Sequence, residues 1–248
     1  MLYPGLVSVT FRGKTPQEII PLAVKAGLSG IEWSSRDHVR PGEAAQAQAV
    51  RKQMDDSGLA TPSYGTYYYA GSEGNPDFGA LIENALILGA PVIRVWAGKD
   101  ESTAEMTPAR REVITNDLRR ICELAAKSGL QVSTEYHRRS LTETFESAMR
   151  LFADVPLLRT HWQADQDKSK AEHLRALTGS LDRLTVVHAA WWRNREQKPF
   201  EEAEADWKEY IRILKSSPRD HYVLLEFVRN ADPEQMIRDA ASLKRFIK

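Results

Sequence analysis

The stretch Leu130–Glu143, LQVSTEYHRRSLTE, decides how the whole chain is read. Leu130, Val132 and Thr134 alternate with Gln131, Ser133 and Glu135, the two-residue period of a pleated strand. Ser140-x-x-Glu143 then has the spacing of a capping box, in which the hydroxyl takes a helix N–H and the carboxylate reaches back to the cap. The run reads as a strand, a polar corner and a helix start, with Glu135 at the corner. If the neighbouring strands are parallel, that end is where ligands bind.

Working outward, the same unit recurs. Leu6–Phe11 is the first expected strand, and Thr15-Pro16-Gln17-Glu18 opens a helix that stops at Gly27. Gly30–Ser34, Leu59–Gly65 and Pro91–Trp96 follow as strands, with a Tyr- and Gly-rich loop, Thr66–Asn75, after the third. Asn75-Pro76 and Thr107-Pro108 open the helices on either side of the fourth strand. After Glu135, helices are expected at Leu141–Ala153, Lys168–Leu181 and Phe200–Lys215, with a last one opened by Asp232-Pro233. They alternate with strands at Leu157–Gln163, Leu184–Ala189 and Tyr222–Val228, and Trp191–Pro199 reads as an excursion. Eight strand–helix units in 248 residues favour a parallel sheet closed into a (β/α)8 TIM barrel, which typically needs about 250 residues. No linker-like composition break interrupts them, so residues 1–248 are expected to form one α/β domain.

Composition narrows the function classes. A formal net charge of zero argues against a nucleic-acid partner, and an apolar content of 42% suffices for a core. No apolar run approaches the roughly 20 residues of a membrane span, and MLYPGLVSVT lacks the pattern of a signal peptide. A cytoplasmic protein with no membrane partner is the expectation. The one cysteine, Cys122, shares a helical stripe with Ile114, Leu118 and Ala125 and reads as an inert core thiol. Gly13-Lys14-Thr15 lacks the first glycine of a phosphate loop. There is no G-x-G-x-x-G after a strand, no G-x-S-x-G elbow, no CxxC pair and no HExxH.

On a barrel, polar side chains at the strand C-termini carry the chemistry. Glu135 ends the fifth strand, Gln163 the sixth, His188 the seventh and Glu226 the eighth, with Glu32 and Arg94 near the ends of the second and fourth. If Val223, Leu225 and Phe227 face the helices, Glu226 faces the barrel mouth; with Val187 outward, His188 faces in. Two carboxylates, an imidazole and an amide oxygen suit a divalent cation such as Mn2+, Mg2+ or Zn2+. Buried carboxylates call for a cation in any case, and Arg94 or Arg138 could serve in place of a metal. A lone Glu or His at a strand end is more often a satisfied structural group than a ligand.

Trp33, Trp96, Trp162, Trp191 and Trp192 fall at or after strand ends, and flat aromatic walls around a polar centre suit a polyol. Trp162, of opposite parity to Gln163, should face the helices. Arg138, Arg139, Arg193 and Arg195 follow strands five and seven and could hold a phosphate or carboxylate, although solvated loop charges read the same way.

In this order, GIEW (30–33), PVIRVWAG (91–98), STEYH with SLTETFESAMRL (133–151), HWQADQD (161–167), VVHAAWW (186–192) and LLEFV (224–228) resemble the xylose isomerase-like barrel superfamily, and within it the sugar phosphate isomerase/epimerase group. The resemblance implies metal-ligand positions at Glu135, His188 and Glu226. The family's fourth ligand is usually an Asp ending the sixth strand, often with a His three residues later; here those places hold Gln163 and Gln166. An amide in place of an anion weakens the pull on a hard cation. Gln163 coordinating through its carbonyl, Asp165 swinging in, and a site that works without metal all stay open.

The implied activity is isomerisation or epimerisation of a sugar or sugar phosphate through a metal-stabilised enediolate. Glu135 and Glu226 are the catalytic pair, the metal set is Glu135, Gln163, His188 and Glu226, and the substrate contacts are Glu32, Arg94, Trp96, His137, His161 and Trp192. A lyase or dehydratase on the same site, or a sugar-binding barrel without catalysis, are the alternatives. Relatives that cleave DNA at abasic sites gather many His and acidic ligands, whereas this chain has six His, few of them at strand ends. A homodimer is expected of such barrels, with exposed Trp191 and Trp192 as a candidate contact.

Overall fold

A computed structural model describes residues 1–248. Eight parallel strands close into one barrel: β1 (Leu2–Val7), β2 (Gly30–Ser34), β3 (Tyr64–Tyr69), β4 (Val92–Trp96), β5 (Gln131–Glu135), β6 (Arg159–Gln163), β7 (Leu184–Ala189) and β10 (His221–Leu225). β10 closes the ring against β1, with Leu2 opposite His221 and Leu6 opposite Leu225. The two remaining strands, β8 (Trp192–Arg193) and β9 (Glu196–Gln197), form a small antiparallel hairpin inside the expected excursion. Its turn residues Asn194 and Arg195 both have positive φ, as a tight hairpin turn demands. No helix is long and apolar enough to cross a membrane.

Strand parity sorts the side chains. Val187, Val223 and Leu225 join the large apolar layer between barrel and helices, which also takes Cys122. Val7, Val9, Val186 and Leu224 form a separate small cluster inside the barrel. Glu226 shares parity with Leu224, and His188 with Val186, so both face inward, as expected. Phe227 departs from the expectation that it packs against the helices. Its φ of +56° swings the chain out of the strand pattern, and its ring packs against the inner cluster instead. Trp162 faces outward, as expected, with its ring 5.1 Å from that of Tyr210.

Helix starts follow the sequence where a proline fixes them. Thr15 and Glu18 form the capping box of α1 (Pro16–Lys25), Thr107 caps α4 (Pro108–Lys127) and Asp232 caps α8 (Pro233–Ile247). Two starts are shifted. α3 (Phe78–Leu88) is capped by Asp77, because Asn75 is spent on Tyr69: its side chain accepts from the Tyr69 N–H at 2.7 Å and donates to its carbonyl at 2.8 Å. α5 (Phe145–Asp154) begins after Thr144, whose hydroxyl accepts from the Ser147 N–H. Ser140 instead donates to the His137 carbonyl at 2.7 Å, and Glu143 accepts from the Thr103 N–H at 2.9 Å. That corner folds back on the loop after β4 rather than starting a helix.

Two strands are displaced: β1 runs over Leu2–Val7 rather than Leu6–Phe11, whose residues from Ser8 on turn into a 3-10 helix, and β3 lies later than expected. Leu59–Gly65 is the expected strand, but before Tyr64 only Ala60 pairs, with Gly30, and Pro62 has no N–H to donate. The ladder resumes at Tyr64 and runs to Tyr69, so part of the expected Tyr-rich loop is strand.

Candidate functional site

The C-terminal ends of β2, β4, β5 and β7, with the residue after β10, bring five ionisable side chains into one buried cluster. His188 is its hub: Nδ1 lies 3.3 Å from Glu135 Oε1 and 3.6 Å from Glu226 Oε2, and Nε2 lies 3.2 Å from Glu32 Oε2. The Arg94 guanidinium spans the other side, 3.6 Å from Glu32 Oε1 and 3.6 Å from Glu135 Oε2. Its carbon also sits 4.9 Å from the Trp96 ring centroid, a cation–π contact. Gln163 approaches through its amide N–H, donating to Glu135 Oε1 at 2.8 Å and to the Tyr136 carbonyl at 3.0 Å.

A second polar layer supports this one from below. His161 Nε2 lies 3.2 Å from Glu32 Oε2, and Ser63 also donates to that oxygen. Ser133 Oγ lies 2.6 Å from His161 Nδ1, while Thr185 donates to the Thr160 carbonyl. A neutral ring satisfies every partner: His161 donates from Nε2 and accepts from Ser133 at Nδ1. Gly65 makes room above, since a Cβ there would stand 2.6 Å from Glu32 Oε1 and 3.0 Å from an Arg94 nitrogen.

The electrostatics follow from three carboxylates facing one permanent cation. Burial alone would raise the Glu135 pKa, but Arg94 and then His188 overcome it and hold the group at about 2. Burial also opposes charge on Glu32, yet His188 and His161 bring its pKa well below the ordinary value. Glu226 lacks such close partners, and burial pushes it up to about 7 despite His188. His188 moves well above its ordinary value because Glu32, Glu226 and Glu135 outweigh its burial, whereas His161, buried beside only one of them, is lowered. The cluster thus separates an ionised carboxylate, Glu135, from one that holds a proton near neutrality, Glu226.

Above the cluster opens a cavity of about 260 Å³. Of the expected site residues, Arg94, Trp96, Glu135, His137, Gln163 and Glu226 line it. Trp96 stacks between Tyr69 and the edge of His137, with centroids 6.1 and 4.6 Å away. Three expectations need correction. Glu32 and His161 are fully buried in the lower layer and support the cluster from beneath rather than contact a substrate. Trp192 lies in a neighbouring hollow with Trp191 and Gln166, outside this cavity. Both hairpin tryptophans are half-buried rather than exposed, and Trp191 packs against the outer core.

Sequence reasoning overlooked Arg12, Arg36, Tyr67 and Phe227, which complete the cavity wall. The signal was present for the two arginines: Arg36 follows β2 as directly as Arg138 follows β5, and Arg12 closes the short 3-10 helix that follows β1.

Glu135, His188 and Glu226 present ligand atoms within 4.8 Å of one another, and their O, N, O donor set fits a divalent ion. The excess of carboxylates over Arg94 fits it too, since a dication could replace the protons otherwise held by His188 and Glu226. Gln163 turns its N–H rather than its carbonyl toward Glu135, so it could join the set only after the amide flips.

A family model described as xylose isomerase-like TIM barrel matches residues 20–246. No curated protein matches the chain by sequence. Among solved structures, the probable 3-DHS dehydratase AsbF involved in petrobactin synthesis from Bacillus anthracis superposes with a TM-score of 0.80 at 20% identity, covering 98% of this chain and 99% of that one. The 3-keto-D-glucoside 4-epimerase YcjR from E. coli gives 0.73 at 18% identity over 99% of each chain. An L-ribulose 3-epimerase gives 0.75 at 14% identity, covering 100% of this chain and 95% of the other. At these identities the likeness is one of fold.

Proposed function

The chain belongs to the xylose isomerase-like TIM barrel family, and from that premise we propose that it is an isomerase or epimerase that moves a proton next to a carbonyl on a small sugar or sugar-like substrate. The observation that carries the reading is the meeting of Glu135 and Glu226 at one nitrogen of His188, Nδ1, at the floor of one cavity, with pKa values pushed apart to about 2 and about 7.

In this reading Glu135 stays ionised and takes the proton from the substrate carbon. Glu226, whose burial makes it the easier of the two to protonate, returns one; a return to the opposite face gives epimerisation, and a return to the neighbouring carbon gives isomerisation. Arg94 and His188 keep Glu135 charged and fix its two oxygens. Trp96 and His137 wall the cavity and limit how a flat sugar face can lie. Glu135, His188 and Glu226 would hold a divalent ion such as Mn2+, Mg2+ or Zn2+, with Gln163 as a fourth ligand through its carbonyl. When bound, such an ion polarises a carbonyl and stabilises the negative charge that develops on it.

Glu135→Gln and Glu226→Gln should each lower kcat on a turned-over ketose by about 10²–10⁴-fold, the usual range for a positioned acid or base, while the thermal midpoint shows the fold intact. Near-normal kcat in both variants would remove the pair from the mechanism. A protonated Glu226 also favours a second reading, a lyase in which it gives its proton to a departing hydroxyl. Loss of water from the substrate, read as an absorbing unsaturated product, separates the two.

A further inference from the structure

The cavity mouth is electrically divided. Acidic groups stand on the β5–β10 side and arginines on the β1–β4 side: Arg12 in the loop after β1, Arg36 in the loop after β2, and Arg94 on β4. Arg94 is buried between Glu32 and Glu135, 3.6 Å from each, but the other two are half exposed, at 51% and 53%, and reachable from solvent. Neither is a loose surface charge. The Arg36 guanidinium carbon lies 3.8 Å from the Tyr67 ring centroid, and the group also donates to the Tyr67 hydroxyl at 2.9 Å. Arg12 lies 5.6 Å from the Phe227 ring centroid.

That second platform is held in a conformation a bulky residue rarely takes. Phe227 has a φ of +56°, and its N–H donates to Thr10 at 3.0 Å, tying the loop after β10 to the segment that carries Arg12. Backbone of this kind is strained and persists where the surroundings over-determine it. Both guanidiniums also turn toward one carboxylate, Asp37, with contacts of only 4.0 Å for Arg12 and 3.4 Å for Arg36. Asp37 itself is bound by the Ser34 hydroxyl at 2.8 Å. Two guanidiniums thus converge beside the cavity with N–H groups to spare.

We propose that Arg12 and Arg36, braced on Phe227 and Tyr67, form an oxyanion-binding rim, so that the substrate is a polyhydroxylated molecule bearing a carboxylate or phosphate at the end away from the reacting carbon. This rests on the proton-transfer reading above and specifies its substrate class. The anion docks over β1–β3, and the polyol then reaches across the floor to Glu135 and Glu226. Planar guanidinium forks match both oxyanions, which is why the test carries one of each.

The test is equilibrium binding of three probes of the same carbon skeleton, D-gluconate, D-glucitol 6-phosphate and neutral D-glucitol, to the wild type and to a variant with Arg12→Gln and Arg36→Gln. The expected result is at least one anion binding about tenfold or more tighter than D-glucitol to the wild type, with that advantage weakening in salt and vanishing in the double variant while D-glucitol binding stays unchanged. Which anion gains distinguishes a sugar acid from a sugar phosphate. Equal binding of all three probes, or an advantage that survives the double substitution, overturns the rim and leaves the polyol site standing. Binding of none of them overturns the rim and the polyol reading together.

Discussion

Gln163 faces Glu135 with a hydrogen-bond donor where a metal site needs an oxygen; its Nε2 lies 2.8 Å from Glu135 Oε1. Gln163→Asp removes that donor and adds a charge, which the cluster can accommodate only with a cation. Calorimetric titration of chelator-stripped protein with Mn2+ should show the variant binding about tenfold or more tighter than the wild type. Equal affinity would contradict the placement of Gln163 beside a cation site. Glu135, His188 and Glu226 were legible in the sequence because alternation along each strand fixes which side chains face inward. The layering of Glu32 and His161 beneath them was not. It depends on strand stagger and on partners such as Ser63 and Ser133, whose hydroxyls carry no sequence signature.

At the level of elements, β3 and the loop after β10 shape the site more than their sequences announce. Gly65 on β3 is where the chain passes over the Glu32–Arg94 pair. Gly65→Ala would press a methyl to 2.6 Å from a buried Glu32 oxygen that cannot retreat, with Ser63, His161 and His188 against its other oxygen. A loss of about 1–3 kcal/mol in urea denaturation is expected, as for overpacking elsewhere in cores. An unchanged midpoint would mean that the pair is looser than its geometry. Proline-marked helix starts at 15–18, 107–108 and 232–233 were readable because ring and cap act locally. The Ser140–Glu143 motif misled because its groups found partners across the loop, and Phe227 because a positive φ in a bulky residue is set by tertiary contacts alone.

For the whole molecule, the barrel was legible from eight alternating strand–helix units, and its closure between β1 and β10 follows. Its buried histidines also set an acid limit. Burial holds His38, His161, His173 and His221 below the ordinary 6.5. As pH falls through 6.5 the unfolded chain takes up protons that these folded rings refuse, so stability drops. His188, raised well above 6.5, is already protonated in the folded state while the unfolded chain is still taking up its proton there, so it opposes the trend. Glu226, raised to about 7, also binds its proton first in the folded state, so two groups stand against four. The thermal midpoint should therefore fall between pH 7 and pH 5, and His173→Gln should flatten the fall; a midpoint that holds or rises would contradict this balance.

The acidic floor and the basic rim divide the work: the rim holds an anionic end, and Glu135 and Glu226 on the floor move a carbon-bound proton. The direct measurement is solvent exchange: ketoses, their phosphates and keto sugar acids incubated with the protein in D2O and followed by proton NMR. Deuterium should enter at the carbon beside the carbonyl of at least one of them, and Glu135→Gln and Glu226→Gln should abolish its entry. Ligand binding without any exchange, or exchange that both variants sustain at the wild-type rate, would contradict this proton transfer.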